Sequence, residues 1–454
     1  MRTLISSGRL VDPVQSIDSL LDLVIEDGTV SAILPPERSQ YVNADRVIDA
    51  SGCVVSPGFI DIHMHEDPIG RDGHIRQCIF PAMLRMGVTT VLAGNCGTNL
   101  CDPLRYLHQV DQDRTAVNVA MMAGHTWFRS SLGQKNKYAP VSQEFIDRLI
   151  ARIYDALEQG CMGISFGLRY VPGTTTEEFL QIASCAEKDH RLVSCHVRDD
   201  AAAVFDSVAE FAQAGRHYQI PLEVSHIGSM GGFGQMPRLL QQLDGYRGEG
   251  IDIAADCYPY YAFSTPIGEA TYDDGWLDRY HCDYDVLEMC EGKYKGQRCT
   301  KEIFEEMRRD HPKALTVCYV MHAEDVHAAF RHPGTLVGSD GVLSDGQGHP
   351  RAAGTFPRFL AEFVRSSGDL SLFDAISRMT ALPAQRMGLT KKGNLRIGSD
   401  ADLVIFDPET ISDQATFADP TAPPEGIRDV MIGGETAIRH GQVVNERLGR
   451  ALRP

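Results

Sequence analysis

A His-Met-His triplet at residues 63–65 is the first group in the sequence whose spacing suggests chemistry. Alternate residues of a β-strand point to the same face, so His63 and His65 can bind one metal ion. Taken alone the triplet is weak evidence, because the chain has sixteen histidines. Its position strengthens it, since the apolar run at residues 57–62 leads directly into the triplet as a strand would.

Four further apolar runs also end in side chains that can bind a metal: Cys96, His196, His226 and Asp340. Any one of them could be a buried core residue, and for Cys96 alone a core thiol is the better interpretation. Unrelated core residues have no reason to end several strands together, so their joint occurrence favours a metal site. Imidazoles combined with a thiolate and a carboxylate favour zinc over magnesium or calcium.

The elements that would position these residues are eight apolar runs alternating with segments of helical periodicity. This pattern is typical of βαβ units around a parallel sheet, and eight units predict a (β/α)8 TIM barrel. Active sites of such barrels lie at the carboxyl ends of the strands. A ninth apolar run, at 315–321, is assigned to an insertion at about 268–312. The predicted strands are residues 58–65, 88–96, 116–122, 162–167, 192–196, 222–226, 251–256 and 336–340.

Both ends of the chain have the pattern of short strands and turns. Residues 20–28 run into an Asp-Gly turn, and residues 401–407 repeat the strand pattern near the C-terminus. We therefore predict an α/β protein with two domains. A composite β-sandwich of residues 1–55 and 392–454 flanks a metal-dependent catalytic barrel at 56–391.

Composition excludes several functions. Forty-three basic and sixty-one acidic residues give a net charge of −18, which repels nucleic acids and anionic membranes. No apolar run approaches the ~20 residues of a membrane span, and the polar N-terminus is no secretory signal. Twelve scattered cysteines without a CxxC pair favour reduced thiols in a cytoplasmic protein. We expect a small-molecule substrate, no nucleic-acid or membrane partner, and leave a homo-oligomer open.

Four longer motifs join the triplet: VTTVLAGNCG at 88–97, SFGLRY at 165–170, DCYPY at 256–260 and HPRAAGTF at 349–356. With residues 57–65 and 338–341 and the terminal strands, they resemble the amidohydrolase superfamily, and more specifically its N-acyl-D-amino-acid deacylases (D-aminoacylases). The resemblance covers nearly the whole chain apart from the insertion. It implies a zinc-dependent hydrolase that cleaves the amide of an N-acyl-D-amino acid.

The resemblance also implies how the metal is held. Many amidohydrolases bridge two metals with a carboxylated lysine on the fourth strand, but residues 162–167 contain none. In the deacylases a thiolate from the second strand bridges instead, and Cys96 occupies that position. By this resemblance a tightly bound zinc is held by Cys96, His196 and His226, and a second, weaker or vacant site by His63, His65 and Asp340.

Catalytic and substrate roles follow in the same way. Zinc lowers the pKa of a bound water to about 7, and Asp340 is our predicted general base and then general acid. The family pattern has Tyr258, with His63, stabilise the tetrahedral oxyanion. Tyr170 and Arg351 match residues that bind the substrate carboxylate, and Ser264 matches a serine that contacts substrate.

One departure from the family leaves alternatives open. Gly228 stands where the deacylases have a lysine that binds the substrate carboxylate, which leaves room for a different or larger amide. The first alternative is a cyclic-amide hydrolase of the dihydroorotase or hydantoinase type, against which the missing fourth-strand lysine counts. The second is a catalytically silent barrel that serves as a scaffold, against which the intact set of metal-capable residues counts.

Overall fold

Eight parallel strands form the centre of the protein, whose computed structural model describes residues 1–454. Consecutive strands pair in parallel, and a bridge between Met64 and Gly341 closes the ring between the first and the eighth strand. The predicted barrel is therefore confirmed. In chain order the barrel strands are Phe59–Asp61, Val88–Ala93, Asn118–Gly124, Gly163–Gly167, Leu192–His196, Leu222–Val224, Ile253–Cys257 and Thr335–Val337.

Helices cover the outside of the barrel, and five of them begin at a residue whose side chain caps the helix. In the longest, Gln143–Gln159, the side chain of Ser142 accepts a hydrogen bond from the Phe145 amide, and the helix ends at Gly160, whose φ is 133°. The helices are Pro36–Ser39, Ile79–Arg85, Pro103–Asp113, His125–Ser131, Gln143–Gln159, Thr176–Ala183, Val204–Tyr218, Ile227–Gly231, Met236–Gly248, Trp276–Tyr280, Lys301–Asp310, Ala323–Arg331, Arg351–Phe359, Leu372–Met379 and Ala381–Arg386. None of them combines the length and the apolar character needed to cross a membrane.

The amino-terminal end of the barrel interior is apolar. Side chains of the strands, including Ile60, Leu92 and Leu336, pack together with Ala384 and Met387 from the last helix and the turn after it. This packing makes the barrel a filled core rather than a pore, as is usual for the fold. One buried ion pair enters this packing, with Arg386 Nε 3.1 Å from the Glu223 carboxylate, and the metal-capable side chains lie at the opposite, carboxyl end.

Two further sheets pack against each other beside the barrel. One contains Arg2–Ser6, Asp22–Glu26, Thr29–Leu34 and Arg46–Asp49; the other contains Arg9–Asp12, Ile17–Leu20, Val54–Pro57, Leu403–Phe406, Ile427–Ile432, Glu435–Arg439 and Gln442–Val443. Their shared core includes Ile5 and Leu23 from the first sheet and Leu403 from the second. The second sheet joins strands from both chain ends, as predicted for a composite sandwich.

Two local features complete the sandwich: a hairpin turn near the N-terminus and the path of the last residues of the chain. The Asp-Gly pair has φ values of 49° and 83° at Asp27 and Gly28 and forms a two-residue hairpin turn, as its sequence predicts. The last residues leave the sandwich and return to the barrel, where the Leu452 amide donates to the Val119 carbonyl oxygen at 2.8 Å. The exact limits of the two domains stay predictions.

The insertion between the seventh and eighth barrel strands forms a small antiparallel sheet. Leu315–Cys318 lies in its centre and pairs with Phe263–Pro266 on one side and Leu287–Met289 on the other. The ninth apolar run therefore belongs with the insertion. Phe263–Pro266 and Leu315–Cys318 lie just outside the predicted range of 268–312, one on each side, because they pair with each other and not with the barrel.

Candidate active site

The six predicted ligands meet at the carboxyl ends of the barrel strands. Their donor atoms form two groups that share Cys96, and within each group these atoms lie within 4.8 Å of one another. One group contains His63, His65, Cys96 and Asp340, and the other contains Cys96, His196 and His226. The second group is the set predicted to hold the tightly bound ion.

Distances around Cys96 agree with a thiolate shared between imidazoles. Its Sγ lies 3.4 Å from His63 Nε2, 3.4 Å from His226 Nε2 and 4.0 Å from His196 Nδ1. Nitrogen and sulfur ligands on one tetrahedral zinc ion stand about 3.6 Å apart. Asp340 Oδ1 lies 3.2 Å from His65 Nε2. The residues present therefore fit a metal without a change of backbone.

Three of the ligands lie at backbone positions that side chains rarely adopt. Cys96, His226 and Asp340 have φ values of 54°, 34° and 47°, in the left-handed region. Each lies two or three residues after the end of a barrel strand, and the left-handed residue turns the chain there. Non-glycine residues in this region cost about 1–2 kcal/mol. Their occurrence at three ligands is the kind of strain that clusters at functional sites.

A hydrogen-bond clamp fixes the turn that carries Cys96. The side-chain NH₂ group of Asn95 donates to the Leu92 carbonyl oxygen at 2.9 Å and to the Ile62 carbonyl oxygen at 3.3 Å. Its own oxygen accepts from the Ser194 hydroxyl at 3.0 Å. Asn95 thus ties together the ends of the first, second and fifth strands through its side chain.

Asp256 supports two ligands and is not among the site residues predicted from the sequence. Its Oδ2 lies 2.9 Å from His63 Nδ1, and its Oδ1 accepts the backbone N–H of His226 at 2.8 Å. The hydroxyl of Ser229 lies 2.9 Å from His226 Nδ1. Both imidazoles therefore present Nε2 to Cys96. The signal that could have found Asp256 is a carboxylate at the end of an otherwise apolar buried strand.

Burial sets the protonation states of the cluster. It lowers the pKa of His63 to about 3 and that of His226 to about 4. It also raises the pKa of the Cys96 thiol well above its usual value. Burial opposes ionisation of Asp340 too, but Arg351 and the nearby imidazoles hold its pKa well below the ordinary value. Neutral imidazoles beside a carboxylate form a donor set ready for a cation, which would also favour the thiolate.

Arg351 is buried beside Asp340 with donors to spare. Its Nη2 lies 2.8 Å from Asp340 Oδ2, while its Nε and Nη1 have no hydrogen-bond partner. The guanidinium lies over the ring of Tyr258, 4.5 Å from its centre. A buried guanidinium with unpaired N–H groups has the chemistry to bind a carboxylate.

A small pocket adjoins the predicted ligands and contains some of the predicted substrate residues. Tyr170 and Ser264 line it together with His196, His226 and Asp340. The Tyr170 ring lies 4.4 Å from that of His196, and the Ser264 hydroxyl is buried without a partner. Tyr258 and Arg351 do not line this pocket; Arg351 is connected to it through its ion pair with Asp340.

The position of the missing lysine is filled by neighbouring side chains. A Cβ atom at Gly228 would lie 2.9 Å from Cys257 Sγ and 3.2 Å from Met321 Cε. Real Cβ atoms are rarely found this close, so a lysine would require both neighbours to move. The glycine is therefore part of a differently packed wall, and Arg351 is left as the cation beside the ligands.

Comparison with known proteins places the chain in a family. Amidohydrolase family models match residues 54–229 and 302–438. The N-acyl-D-glutamate deacylase of Alcaligenes xylosoxydans xylosoxydans is 31% identical over 95% of this chain and 96% of its own length. The D-aminoacylase of the same organism is 30% identical over 99% and 97%. The chain belongs to the amidohydrolase family. The resemblance to the N-acyl-D-amino-acid deacylases is confirmed, and a silent scaffold is not supported.

A solved structure extends the similarity of this amidohydrolase to three dimensions. The N-acyl-D-glutamate deacylase of Bordetella bronchiseptica, complexed with zinc and a phosphonate that mimics the tetrahedral intermediate, superimposes with a TM-score of 0.88. The two are 28% identical, and the match covers 100% of this chain and 99% of the other. This amidohydrolase therefore shares the whole architecture of that enzyme, sandwich and barrel together.

Proposed function

We propose that this amidohydrolase removes the acyl group from N-acyl-D-amino acids and uses zinc to do so. The observation that carries the proposal is the cluster of one buried thiol, four imidazoles and a carboxylate, with a buried guanidinium whose Nε and Nη1 are unpaired beside it. The names of the similar enzymes support the same activity. The small-molecule substrate would be a linear amide with a free carboxylate.

The donor set favours zinc, because thiolate and imidazole ligands suit this ion. Cys96, His196 and His226 would hold the tightly bound ion, and His63, His65 and Asp340 a second, weaker site that shares Cys96. When bound, zinc polarises a carbonyl and lowers the pKa of water toward neutrality.

The remaining steps belong to the chain's own side chains. Asp340 is held ionised by its neighbours and would take a proton from the attacking water. It would then deliver that proton to the departing nitrogen as the amide C–N bond breaks. The products are a carboxylate and a D-amino acid.

Other side chains orient the substrate and receive the developing charge. The free donors of Arg351, with the hydroxyls of Tyr170 and Ser264, would bind the substrate carboxylate. Tyr258 and His63 would stabilise the tetrahedral oxyanion. The Tyr258 hydroxyl makes a long contact of 3.9 Å with Met321 Sδ. This weak contact leaves the hydroxyl free to donate.

The location and assembly are also proposals. All twelve cysteines are free, which supports a reducing, cytoplasmic location. We infer no nucleic-acid or membrane partner from the acidic charge, and a homo-oligomer stays a prediction.

The test compares paired substrates on protein of known zinc content. N-acetyl-D-methionine should be hydrolysed at least 100-fold faster than its L enantiomer and than hydantoin or dihydroorotate. Chelation should abolish the activity, and added zinc should restore it. Faster turnover of the cyclic amides would replace the proposal with the cyclic-amide alternative. Unchanged activity after complete removal of metal would contradict the metal mechanism.

A further inference from the structure

The pocket beside the candidate ligands is also lined by a second buried carboxylate. Strand Phe263–Pro266 and the insertion that follows it supply much of the wall through Phe263, Thr265, Thr271 and Tyr280. This second carboxylate is that of Asp200, which is 3% exposed. Neither the metal cluster nor the proposed catalytic steps use this residue.

The lining of this pocket is acidic. It contains the two carboxylates Asp200 and Asp340 and no lysine or arginine. The carboxylate of Asp340 is already paired with Arg351 at 2.8 Å. The second negative charge of the lining is that of Asp200, whose ion-pair partner Arg279 lies outside the lining with its Nε 3.0 Å from Asp200 Oδ1.

One oxygen of Asp200 has no aligned donor. Tyr280 donates to Oδ2 at 2.5 Å. Oδ1 is buried without a hydrogen bond, although Arg279 Nε lies 3.0 Å from it. The Nε–H of Arg279 has no hydrogen-bond partner either. Arg279 does not line the pocket, and its guanidinium lies over the Tyr280 ring, 4.8 Å from the ring centre. A buried acceptor left without a donor is costly, and a ligand that supplies one is favoured.

We propose that this pocket takes the side chain of the D-amino acid, selects side chains that end in a hydrogen-bond donor or a positive charge, and excludes acidic ones. The inference rests on the proposed function. An N–H of the ligand would satisfy Asp200 Oδ1, whereas a ligand carboxylate would meet a like charge in a buried pocket. The selectivity would thus be opposite to that named for the N-acyl-D-glutamate deacylase of Alcaligenes xylosoxydans xylosoxydans.

The experiment measures binding and hydrolysis separately, with ligands of matched size. N-acetyl-D-glutamine, N-acetyl-D-glutamate and N-acetyl-D-lysine are titrated into the zinc-loaded protein by calorimetry, and amine release is followed in parallel. Burial raises the pKa of Asp200 to about 6, so pH 8 keeps it ionised. We expect the glutamine and lysine derivatives to bind about 100-fold more tightly than the glutamate derivative.

Two substitutions locate the effect. Asp200→Asn should reduce the glutamine-to-glutamate ratio to about threefold or less, with zinc content unchanged. Asp206→Asn removes one charge from an exposed position of the helix beside it and should leave the ratio as in the wild type.

The outcomes separate the inference from the proposed function. Selective binding without hydrolysis would support the pocket assignment and contradict the deacylase proposal. Equal or tighter binding of the glutamate derivative by the wild-type protein would overturn the assignment and point to Arg279 as the anchor. Absence of binding by all three ligands would overturn it as well.

Discussion

Replacement of Asp256 by asparagine tests whether a carboxylate outside the ligand set holds the metal centre in its working state. Asp256 is buried and bonds both His63 Nδ1 and the backbone of His226. An asparagine oxygen can keep the bond to His226, because only an acceptor serves there. Its amide NH₂ group then faces His63 Nδ1. The His63 ring proton must move to Nε2, the atom that faces Cys96.

The structure sets the size of the expected loss. The bond to His63 is charge-assisted when Asp256 is ionised, and such bonds contribute about 1.5–3 kcal/mol. Loss of a carboxylate that orients a metal-binding histidine lowers affinity or activity about 10–100-fold, which is about 1.4–2.7 kcal/mol. We expect a fall of that order in kcat/KM and in affinity for the weaker metal site, while the zinc on Cys96, His196 and His226 changes less than threefold.

The assay is a zinc titration of the one-zinc protein combined with hydrolysis of N-acetyl-D-methionine. Asp252→Asn is the matched control, since this exposed aspartate precedes the same strand and pairs with Arg386 away from the site. Unchanged kcat/KM together with an unchanged second-site affinity in the Asp256 variant would refute the reasoning.

Three further substitutions have defined outcomes. Cys96→Ala should lose both bound zinc, measured by metal analysis, and activity. The control Cys195→Ala removes a thiol buried in the core on the fifth barrel strand and should retain both. A fully metallated, active Cys96 variant would contradict the assignment. Arg351→Ala should raise KM for carboxylate-bearing substrates about 10–100-fold, and an unchanged KM would mean that another group orients them. Glu178→Ala should destabilise the fold by about 3–5 kcal/mol in urea unfolding, because Arg129, 2% exposed and 3.0 Å away, loses its partner; a loss below 1 kcal/mol would show that Arg129 finds compensation.

Much of this architecture could be predicted from local patterns. Alternating apolar runs give the barrel, and metal-capable side chains at strand ends give the ligand set, because the fold sends all carboxyl ends of the strands to one rim. The Asp-Gly turn at Asp27 and Gly28 is equally local, since its residues alone adopt the required φ values easily.

What could not be predicted depends on register and on long-range packing. Asp256 supports His63 only because strands one and seven lie close inside the ring, and no spacing in the sequence states that distance. The left-handed φ of Cys96 has no sequence signal, because cysteine does not favour it. Asp200 and Tyr280 line the same pocket and are joined by a hydrogen bond. Tyr280 belongs to the insertion, whose fold does not follow from the barrel pattern, so the sequence alone could not predict this contact.

The interleaving of both chain ends in one sheet has a consequence for synthesis on the ribosome. Val54–Pro57 pairs with Leu403–Phe406, so its partner edge emerges roughly 350 residues later, about 20–70 s at ordinary rates of translation. Throughout that interval an apolar strand edge faces the crowded cell, where unpaired edges invite aggregation. A nascent chain that stops before residue 403 leaves this edge open permanently. The strand edge at Val54–Pro57 is thus protected against aggregation only once the chain has been synthesised through Leu403–Phe406.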